Sequence, residues 1–273
     1  SGLAASSSNP GRDPDRPAHL LAGKGEMLTL TFTTSERIAL PGEAGLAPSV
    51  SLQDENDTEI GSATVRINLS SEDAVSGMQW QAEFTVPTDD NAFDDLETNL
   101  GLQVVVHDPS GNQRKIGFDS RGSPLDPNQT TELPENSIRI DTKLPELGGL
   151  ELSSDNEGVP DSDRPTHLLA TTGDRVKLTF TTSERIVPTD GLELKPQVFF
   201  KGEDGEELIE ATVTPRDSSA DGMQWQAVFV VPEEDEEFVN LAGDLGFQVK
   251  GFDPSGNERE LGFDHEGVSS DPS

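Results

Sequence analysis

Three observations predict an all-β fold of two like antiparallel β-sandwich domains in tandem: an internal repeat, alternating apolar residues and closely spaced turn signals. The chain reads DPDRPAHLLAGKGEMLTLTFTTSERI from Asp13 and DSDRPTHLLATTGDRVKLTFTTSERI from Asp161. Two further blocks return in the same order, GMQWQAEFTV as GMQWQAVFVV and DPSGNQRKIGFD as DPSGNERELGFD. The two copies begin 148 residues apart, at Asp13 and Asp161. This offset far exceeds the roughly 20–50-residue period of a solenoid, so each copy is long enough to fold around its own core.

Alternating apolar residues predict strands that are buried on one face. Segments 28–33 and 80–86 place apolar side chains at every second position, and the second copy does the same. This pattern is typical of antiparallel sheets with one solvated face. In the second copy the predicted strands are Leu150–Ser153, Val176–Ile186, Gln197–Lys201, Glu210–Thr214, Met223–Val231, Phe247–Phe252 and Arg259–Phe263, and the first copy has the same set starting at Leu3.

About seven short strands per copy, separated by turn signals, predict a β-sandwich rather than a helical or mixed fold. Only the acidic stretches 89–99 and 233–243 leave room for a helical turn. DPSGN lies between two strands in each copy and is typical of a hairpin loop. The Trp and Phe of the fifth strand, at 80 and 84 and again at 225 and 229, are expected to form the bulk of each core.

The repeat boundaries predict a first domain at 1–135, a joining segment at 136–148 and a second domain at 149–273. The joining segment contains a strand-like run, SIRIDT at Ser137–Thr142, which occurs once in the chain. Its counterpart is expected before Ser1 or after Ser273, as in a fragment cut from a longer array of repeats. The chain also begins with Ser rather than Met, as a mature, processed or excised chain would.

The formal net charge of −33, from 52 acidic and 19 basic residues, is spread over both copies. Such a surface opposes nucleic acid and anionic membranes, because phosphate binding needs Lys and Arg. Two explanations of the acidity remain open: adaptation to concentrated salt, which screens the self-repulsion, and calcium sites built from carboxylate oxygens. Cysteine is absent, which excludes disulfides and thiolate metal sites, and no run of 18 apolar residues could span a membrane.

The ordered set of TLTFTTSERI, the MQWQA strand, DPSGN and the join SIRIDTKLPEL resembles the bacterial Ig-like repeats of large secreted adhesins. The resemblance covers both copies nearly end to end, although the hairpin carries Pro-Ser where those repeats commonly have alanine. It implies two Ig-like sandwiches that act as a spacer or binding module at the cell surface. Neighbouring repeats of a like chain, a surface protein or a glycan are the partners that it implies.

Five carboxylates near the domain junctions are candidate calcium ligands: Asp13, Asp15, Asp141, Asp161 and Asp163. Calcium needs six to eight oxygen ligands, so a D-x-D pair is only the start of a site. The Asp-Arg-Pro context equally fits an Asp that bonds the turn backbone and pairs with Arg. No other cofactor is expected.

Other repeated polar residues have a structural explanation as well as a functional one. The hairpin residues Asp108, Asn112, Asp253 and Asn257, and the strand-end residues Asp119 and Asp264, fit turns or metal ligands. The repeated His19 and His167 fit packing at a strand start, because no nucleophile or paired acid accompanies them. The acidic runs 89–95 and 233–237 fit a solvated face or a divalent-ion site.

No phosphate loop, nucleophile elbow or HExxH motif is present, so we expect a chain that is not an enzyme. The leading hypothesis is an extracellular structural or adhesive segment of a salt-adapted surface protein, which also forms filaments if SIRIDT is donated to a neighbour. The alternative is a carbohydrate- or protein-binding module appended to a secreted enzyme. Against it, the chain has no Tyr, and both Trp residues lie on stripes predicted to face the core.

Overall fold

Among the residues that it describes, the computed structural model has 17 β-strands and one short 3-10 turn. It describes residues 3–11, 16–17, 19–34, 48–67, 79–108, 110–126, 138–156, 168–186, 194–216, 223–233, 244–266 and 268–269. Two compact units divide the chain, Ser1–Lys143 and Leu144–Ser273. The segment predicted to join the domains is therefore shared between the two units.

The first unit contains nine strands: β1 Ala4–Ser7, β2 Leu20–Ala22, β3 Met27–Thr33, β4 Ser49–Gln53, β5 Glu59–Ile67, β6 Gln79–Thr85, β7 Glu97–His107, β8 Gln113–Phe118 and β9 Ile138–Asp141. One layer has the order β1-β3-β6-β5, and the other has the order β5-β4-β7-β8. Strand β5 belongs to both layers, because its first half pairs with β4 and its second half with β6. All of these pairs are antiparallel.

The second unit repeats this arrangement with eight strands: β10 Leu147–Ser154, β11 Arg175–Thr182, β12 Gln197–Lys201, β13 Glu207–Glu210, β14 Thr212–Pro215, β15 Gln224–Val230, β16 Gly246–Phe252 and β17 Glu258–Phe263. Its sheets have the orders β10-β11-β15-β14 and β13-β12-β16-β17. Strands β13 and β14 together correspond to β5, interrupted at Ala211.

The strand order of both units is that of an immunoglobulin-type sandwich, in which strands A, B, E and D face strands C, F and G. The first unit matches this order with β1, β3, β6 and β5 against β4, β7 and β8. The second unit matches it with four strands in each sheet. The chain is thus an all-β protein of two tandem Ig-like antiparallel β-sandwiches, as the sequence predicts.

The first unit adds two short strands to the Ig-type set. Strand β9 pairs antiparallel with the first half of β7, through Glu97–Leu100, where β8 no longer runs beside it. Its other neighbour is β2, which runs parallel to it. The SIRIDT run of the joining segment is therefore a strand of the first unit that is paired with two neighbours.

Each unit has its own core, built from the inward face of its strands. Trp80 and Trp225 are 0% and 1% exposed at equivalent positions of β6 and β15, and Phe84 and Phe229 are buried further along the same strands. This confirms the expected aromatic core of the fifth predicted strand. Full burial of such a side chain stabilises the folded state by several kcal/mol, since truncation of Phe or Trp to Ala costs about 3–5 kcal/mol.

The helical turn expected in the acidic stretch 89–99 is a single 3-10 turn at Asn91–Phe93. The Asp90 side chain accepts a hydrogen bond from the Ala92 N–H at 3.0 Å and so caps the turn. Phe93 is buried and packs near Phe84, with ring centroids 6.0 Å apart. Most of the matching stretch 233–243 lies outside the described residues.

Leu30→Ala and Leu178→Ala remove equivalent buried side chains from the two cores. We expect each substitution to lower the free energy of unfolding of its own unit by about 2–5 kcal/mol. Because each unit has one Trp, urea titrations in a Trp225→Phe or Trp80→Phe background report one unit at a time. A shift reported by the Trp of the unsubstituted unit would contradict the assignment of two cores.

Candidate functional sites

Four of the five candidate calcium ligands, Asp13, Asp15, Asp161 and Asp163, lie outside the described residues. The fifth, Asp141, ends β9 and is 3% exposed. Within the first unit its Oδ1 accepts a hydrogen bond from the Lys143 N–H at 3.2 Å. Its Oδ2 is 3.9 Å from the Arg139 guanidinium, which gives the buried carboxylate a cationic partner.

The DPSGN loops use their aspartates to bond their own backbone. In the first unit, Asp108 Oδ1 accepts the N–H groups of Ser110 and Asn112, both at 2.8 Å, and Oδ2 accepts the Asn112 side-chain amide at 2.7 Å. In the second unit, Asp253 accepts the Asn257 N–H at 2.9 Å and its side-chain amide at 2.7 Å. The hairpin interpretation of these residues is confirmed.

The glycine of each loop takes the left-handed conformation that this turn requires. Gly111 has a φ of 86° and Gly256 a φ of 84°, values that L residues with a side chain rarely adopt. The Gly111 N–H donates to the Asp108 carbonyl at 2.9 Å, and the Gly256 N–H donates to the Asp253 carbonyl at 3.0 Å. The loops are closed turns in which backbone and side chain cooperate.

The aspartates that follow the last hairpin strands form the same kind of turn. Asp119 Oδ1 accepts the N–H groups of Arg121 at 2.9 Å and Ser123 at 2.8 Å. Asp264 Oδ1 accepts those of Glu266 at 3.0 Å and Val268 at 2.8 Å. Each carboxylate therefore fixes a surface turn through donors two and four residues later.

A third turn of this type escaped the sequence reasoning. Asp54 Oδ1 accepts the N–H groups of Asn56 and Thr58, both at 2.8 Å, in the β4–β5 connection. The Asp-x-Asn-x-Thr spacing of DENDT carries the signal, because it places backbone donors two and four residues after an Asp. The second copy reads GEDGE at the matching position, so the internal repeat does not mark this turn.

Hydrogen bonds hold the pKa of two of these carboxyl groups below its usual range. For Asp108 the side-chain amide of Asn112 lowers the pKa most, followed by the Asn112 N–H. For Asp54 the largest cause is the Thr58 N–H. Donors that bond the ionised form favour it over the protonated form, so the turns are built for a charged carboxylate.

The carboxyl groups at one repeated acidic position, Glu26 and Asp174, have pKa values shifted in opposite directions. Glu26 and Asp174 both precede the B strand and accept a backbone N–H three residues earlier, Gly23 at 2.7 Å and Thr171 at 2.6 Å. Burial raises the pKa of Glu26, although the Gly23 N–H opposes this effect. Hydrogen bonds from Thr171 lower the pKa of Asp174, with a smaller contribution from the Asn156 amide.

The acidic run at 89–95 is partly structural. Besides the capping role of Asp90, Asp94 forms an ion pair with Lys24, with Nζ and Oδ1 separated by 2.6 Å. Both side chains are substantially exposed, so the pair is worth at most about 1 kcal/mol. Of the second run, 233–237, only Glu233 is described.

The repeated histidines do not form a catalytic group among the described residues. His19 is half-buried just before β2, and its N–H donates to the Arg16 carbonyl at 2.8 Å, as expected for packing at a strand start. His167 lies outside the described residues.

The second unit has a cavity of about 200 Å³ between the β12–β13 turn and the start of β16. Phe247 and Phe263 line it, with ring centroids 5.4 Å apart. Both rings are half-buried, and Glu203, Asp264 and His265 surround them. This is an aromatic surface outside the Trp core that the sequence analysis did not identify.

Comparisons with known proteins found solved structures of low similarity. No protein-family model matches the sequence, and no curated protein matches it. Among solved structures, a bovine butyrophilin covers 97% of the chain and 99% of its own length, at 12% identity and a TM-score of 0.28. A marsupial T cell receptor covers 96% and 100%, at 7% identity and a TM-score of 0.25. With scores this low, the Ig-like assignment rests on the strand order described above.

No helix among the described residues is long and apolar enough to cross a membrane.

We expect the carboxyl group of Glu26 to titrate above the usual range for Glu, and that of Asp174 below the usual range for Asp. Because the folded-state pKa of Asp174 is lowered, its contribution to stability is complete above the unfolded-state pKa and is lost as pH falls through the folded value. Glu26 acts in the opposite sense, since its raised pKa destabilises the folded state at neutral pH and this penalty disappears on acidification.

Carboxyl-detected NMR titration measures both pKa values directly. Glu26→Gln is expected to stabilise the first unit at pH 7, and Asp174→Asn to destabilise the second. The two variants are matched controls because they change corresponding positions by the same chemistry. Equal titration of the two groups would contradict the assigned causes.

Proposed function

We propose that the chain is a non-catalytic structural or adhesive segment of a cell-surface or secreted repeat protein, which acts as a spacer and is adapted to high salt. The observation that carries the proposal is the parallel pairing of β2 with β9 in the first unit, with Leu20–Ala22 opposite Ile138–Ile140. Strand β2 lies near the beginning of this unit and β9 at its end.

Parallel strands at opposite ends of a unit resist tension in a particular way. When the two chain ends are pulled apart, β2 is drawn toward its N-terminus and β9 toward its C-terminus. The strands must then slide along each other, so their hydrogen bonds are loaded together instead of opening one after another. Ile138 and Ile140 are fully buried, which adds the cost of exposing apolar surface.

Further contacts hold β9 in place at its C-terminal end. The Thr142 N–H donates to the Leu96 carbonyl at 2.8 Å, and the Leu96 N–H donates to Thr142 Oγ1 at 3.0 Å. The Thr142 hydroxyl also donates to the Phe93 carbonyl. The Arg139 guanidinium bonds the Glu97 carboxylate across the β7–β9 pair. This strand is therefore paired and anchored, and donating it to a neighbour would first require these bonds to break.

The roles of the repeated polar residues support a structural function. At Asp108, Asp119, Asp253 and Asp264 the carboxylate oxygens accept N–H groups of their own turns. These residues shape loops, and no nucleophile with an adjacent base accompanies them in the sequence. Duplication of fold-forming residues is what a chain of repeated spacers requires.

The alternative function is a carbohydrate- or protein-binding module appended to a secreted enzyme. The cavity beside Phe247 and Phe263 favours it, since aromatic rings offer a surface for apolar faces of a ligand. The cavity lies in the second unit, where the half-buried Phe263 lines it. The corresponding residue of the first unit, Phe118, is buried. A site of this kind would be specific to one copy.

Single-molecule force spectroscopy on the whole chain tests the spacer role. We expect two unfolding events, each releasing roughly 450 Å of chain at about 3.3–3.6 Å per residue. Ile140→Ala should lower the unfolding force of the first unit more than Leu30→Ala, because only Ile140 lies in the sheared pair. Leu178→Ala identifies the event of the second unit.

Equal effects of Ile140→Ala and Leu30→Ala on the unfolding force would contradict the role assigned to the β2–β9 pair. Glycan-array binding that is lost in Phe247→Ala would instead favour the binding-module alternative.

The salt-adaptation part of the proposal is tested by thermal unfolding. We expect the midpoint to rise by several degrees between 0.01 and 1 M NaCl, because the screening length falls from about 30 Å to about 3 Å and the self-repulsion of a charge of −33 falls with it. KCl at equal concentration is the control. A midpoint that is unchanged by salt but raised by micromolar calcium, and lowered again by EDTA, would contradict screening and favour carboxylate calcium sites.

A further inference from the structure

The tripeptide Leu-Leu-Ala has two different structures in the two units. In the first unit Leu20–Ala22 form β2, and Leu21 is 2% exposed. In the second unit the same residues, at 168–170, have no strand assignment, and Leu168 and Leu169 are 52% and 38% exposed. These three residues are identical in the two copies, so their own side chains do not account for the difference.

Strand β9 is the element that accounts for this difference. It pairs with β2 on one side and with β7 on the other, and it buries Ile138 and Ile140. Among the described residues of the second unit, no strand takes the corresponding position beside β16. Leu245, which corresponds to the buried Leu100, is accordingly only partly buried.

In the second unit, the turn that follows Leu168–Ala170 is held by the same backbone hydrogen bond as the turn that follows β2. After β2 a turn is closed by the Gly25 N–H, which donates to the Val86 carbonyl at 2.9 Å. After Leu168–Ala170 the Gly173 N–H donates to the Val231 carbonyl, also at 2.9 Å. Equivalent hydrogen-bonded turns therefore follow Leu20–Ala22 and Leu168–Ala170.

The backbone that leads into Leu245 is also held in the same way as the equivalent backbone of the first unit. In the first unit the Asn99 N–H donates to Glu55 Oε1 at 3.3 Å. In the second unit the Asp244 N–H donates to Glu203 Oε1 at the same distance. The backbone leading into Leu245 is thus anchored to the β12–β13 turn as β7 is anchored to the β4–β5 turn.

We propose that the second unit binds an additional strand between Leu168–Ala170 and the chain around Leu245. The occupant has the pattern of β9, an apolar–basic–apolar–Asp–Thr segment like Ile138–Thr142, and it is covalently continuous with β17. It runs parallel to 168–170 and antiparallel to the start of β16. The proposal rests on the comparison of the two units and is independent of any role in bearing tension.

The covalent connection follows from the small size of the contact. β9 pairs over three residues with β2 and four with β7. A free strand of that length would have to offset the translational and rotational entropy that is lost on association. A tethered strand loses only loop-closure entropy, which grows slowly with tether length. In the sequence of the first unit, residues 119–137 separate β8 from β9.

The residues after β17 do not supply the occupant. The segment from Asp264 to Ser273 reads DHEGVSSDPS and has one large apolar residue, Val268, which is 58% exposed. It lacks the two apolar residues, one position apart, that Ile138 and Ile140 provide. The residues from Asp264 to Ser273 therefore lack the pattern of the occupant, and the test supplies that pattern as an extension.

The test extends the chain after Ser273 with a second copy of Gln129–Leu144, which restores the register of the first unit. In a Trp80→Phe background, Trp225 fluorescence reports urea unfolding of the second unit. We expect the extension to lower the unfolding equilibrium constant of this unit by about tenfold or more, because two apolar side chains and both leucines become buried. Hydrogen exchange should slow at the amides of Leu169 and Ala170.

Three controls make the result specific. An extension in which the copies of both isoleucines are replaced by Asp should give no gain. Leu169→Asp should remove the gain in the extended chain and leave the original chain almost unchanged, because Leu169 is already exposed there. The same segment added as a free peptide should bind far more weakly than it does as an extension.

Equal stability of the chains with the Ile and the Asp extensions would overturn the proposal. Concentration-dependent dimerisation of the original chain, with protection of 168–170 that Leu169→Asp abolishes, would also overturn it, because the occupant would then be a second copy. Sedimentation velocity and hydrogen exchange on the same samples separate these outcomes.

Discussion

A chain segment forms a β-strand only where a neighbouring strand bonds its N–H and C=O groups and covers one of its faces. This constraint decides the arrangement of both units, because nearly every core residue reaches the interior from a paired strand. The tripeptide Leu-Leu-Ala shows it most directly, since an identical sequence is a buried strand beside β9 and an exposed segment without it. The short strand β2 is formed where β9 lies beside it.

The acidic composition serves two physical purposes. Some carboxylates close turns, as Asp54 and Asp108 do through donors two and four residues later, and their lowered pKa values follow from those bonds. Others lie on solvated surface, where their mutual repulsion depends on the ionic strength. Removing a turn carboxylate and screening a surface one are therefore different perturbations, even though both involve the same residue types.

The proposed spacer role and the proposed strand-binding position concern the same structural element. In the first unit β9 completes the sandwich and forms the parallel pair that resists shear. A β9-type strand in the second unit would give that unit the same pair. Consecutive units of a repeat protein would then each be completed by the segment that leads out of them, as Ile138–Asp141 completes the first unit just before β10 begins.

Local sequence was sufficient to predict the elements whose pattern depends on one buried face. Strands β11, β12, β15, β16 and β17 lie within a few residues of the predicted segments, and the Trp and Phe of β6 and β15 are in the cores as expected. Turn chemistry was equally predictable, because Asp, Gly and Asn act on backbone groups only two to four residues away. The domain-junction aspartates predicted as calcium ligands remain a prediction, since four of the five lie outside the described residues.

The sequence by itself therefore determined the fold class, the repeat, the core stripes and the hairpin turns, all of which depend on neighbours along the chain. Tertiary structure alone decided that Ile138–Asp141 belongs to the first unit, that Leu20–Ala22 is a strand whereas Leu168–Ala170 is not, and that burial shifts the pKa of Glu26 upward. The physical reason is that these properties depend on residues distant in sequence. Two identical segments can differ in structure when a neighbouring strand lies beside one of them, as β9 does beside Leu20–Ala22. Among the described residues, no such strand lies beside Leu168–Ala170.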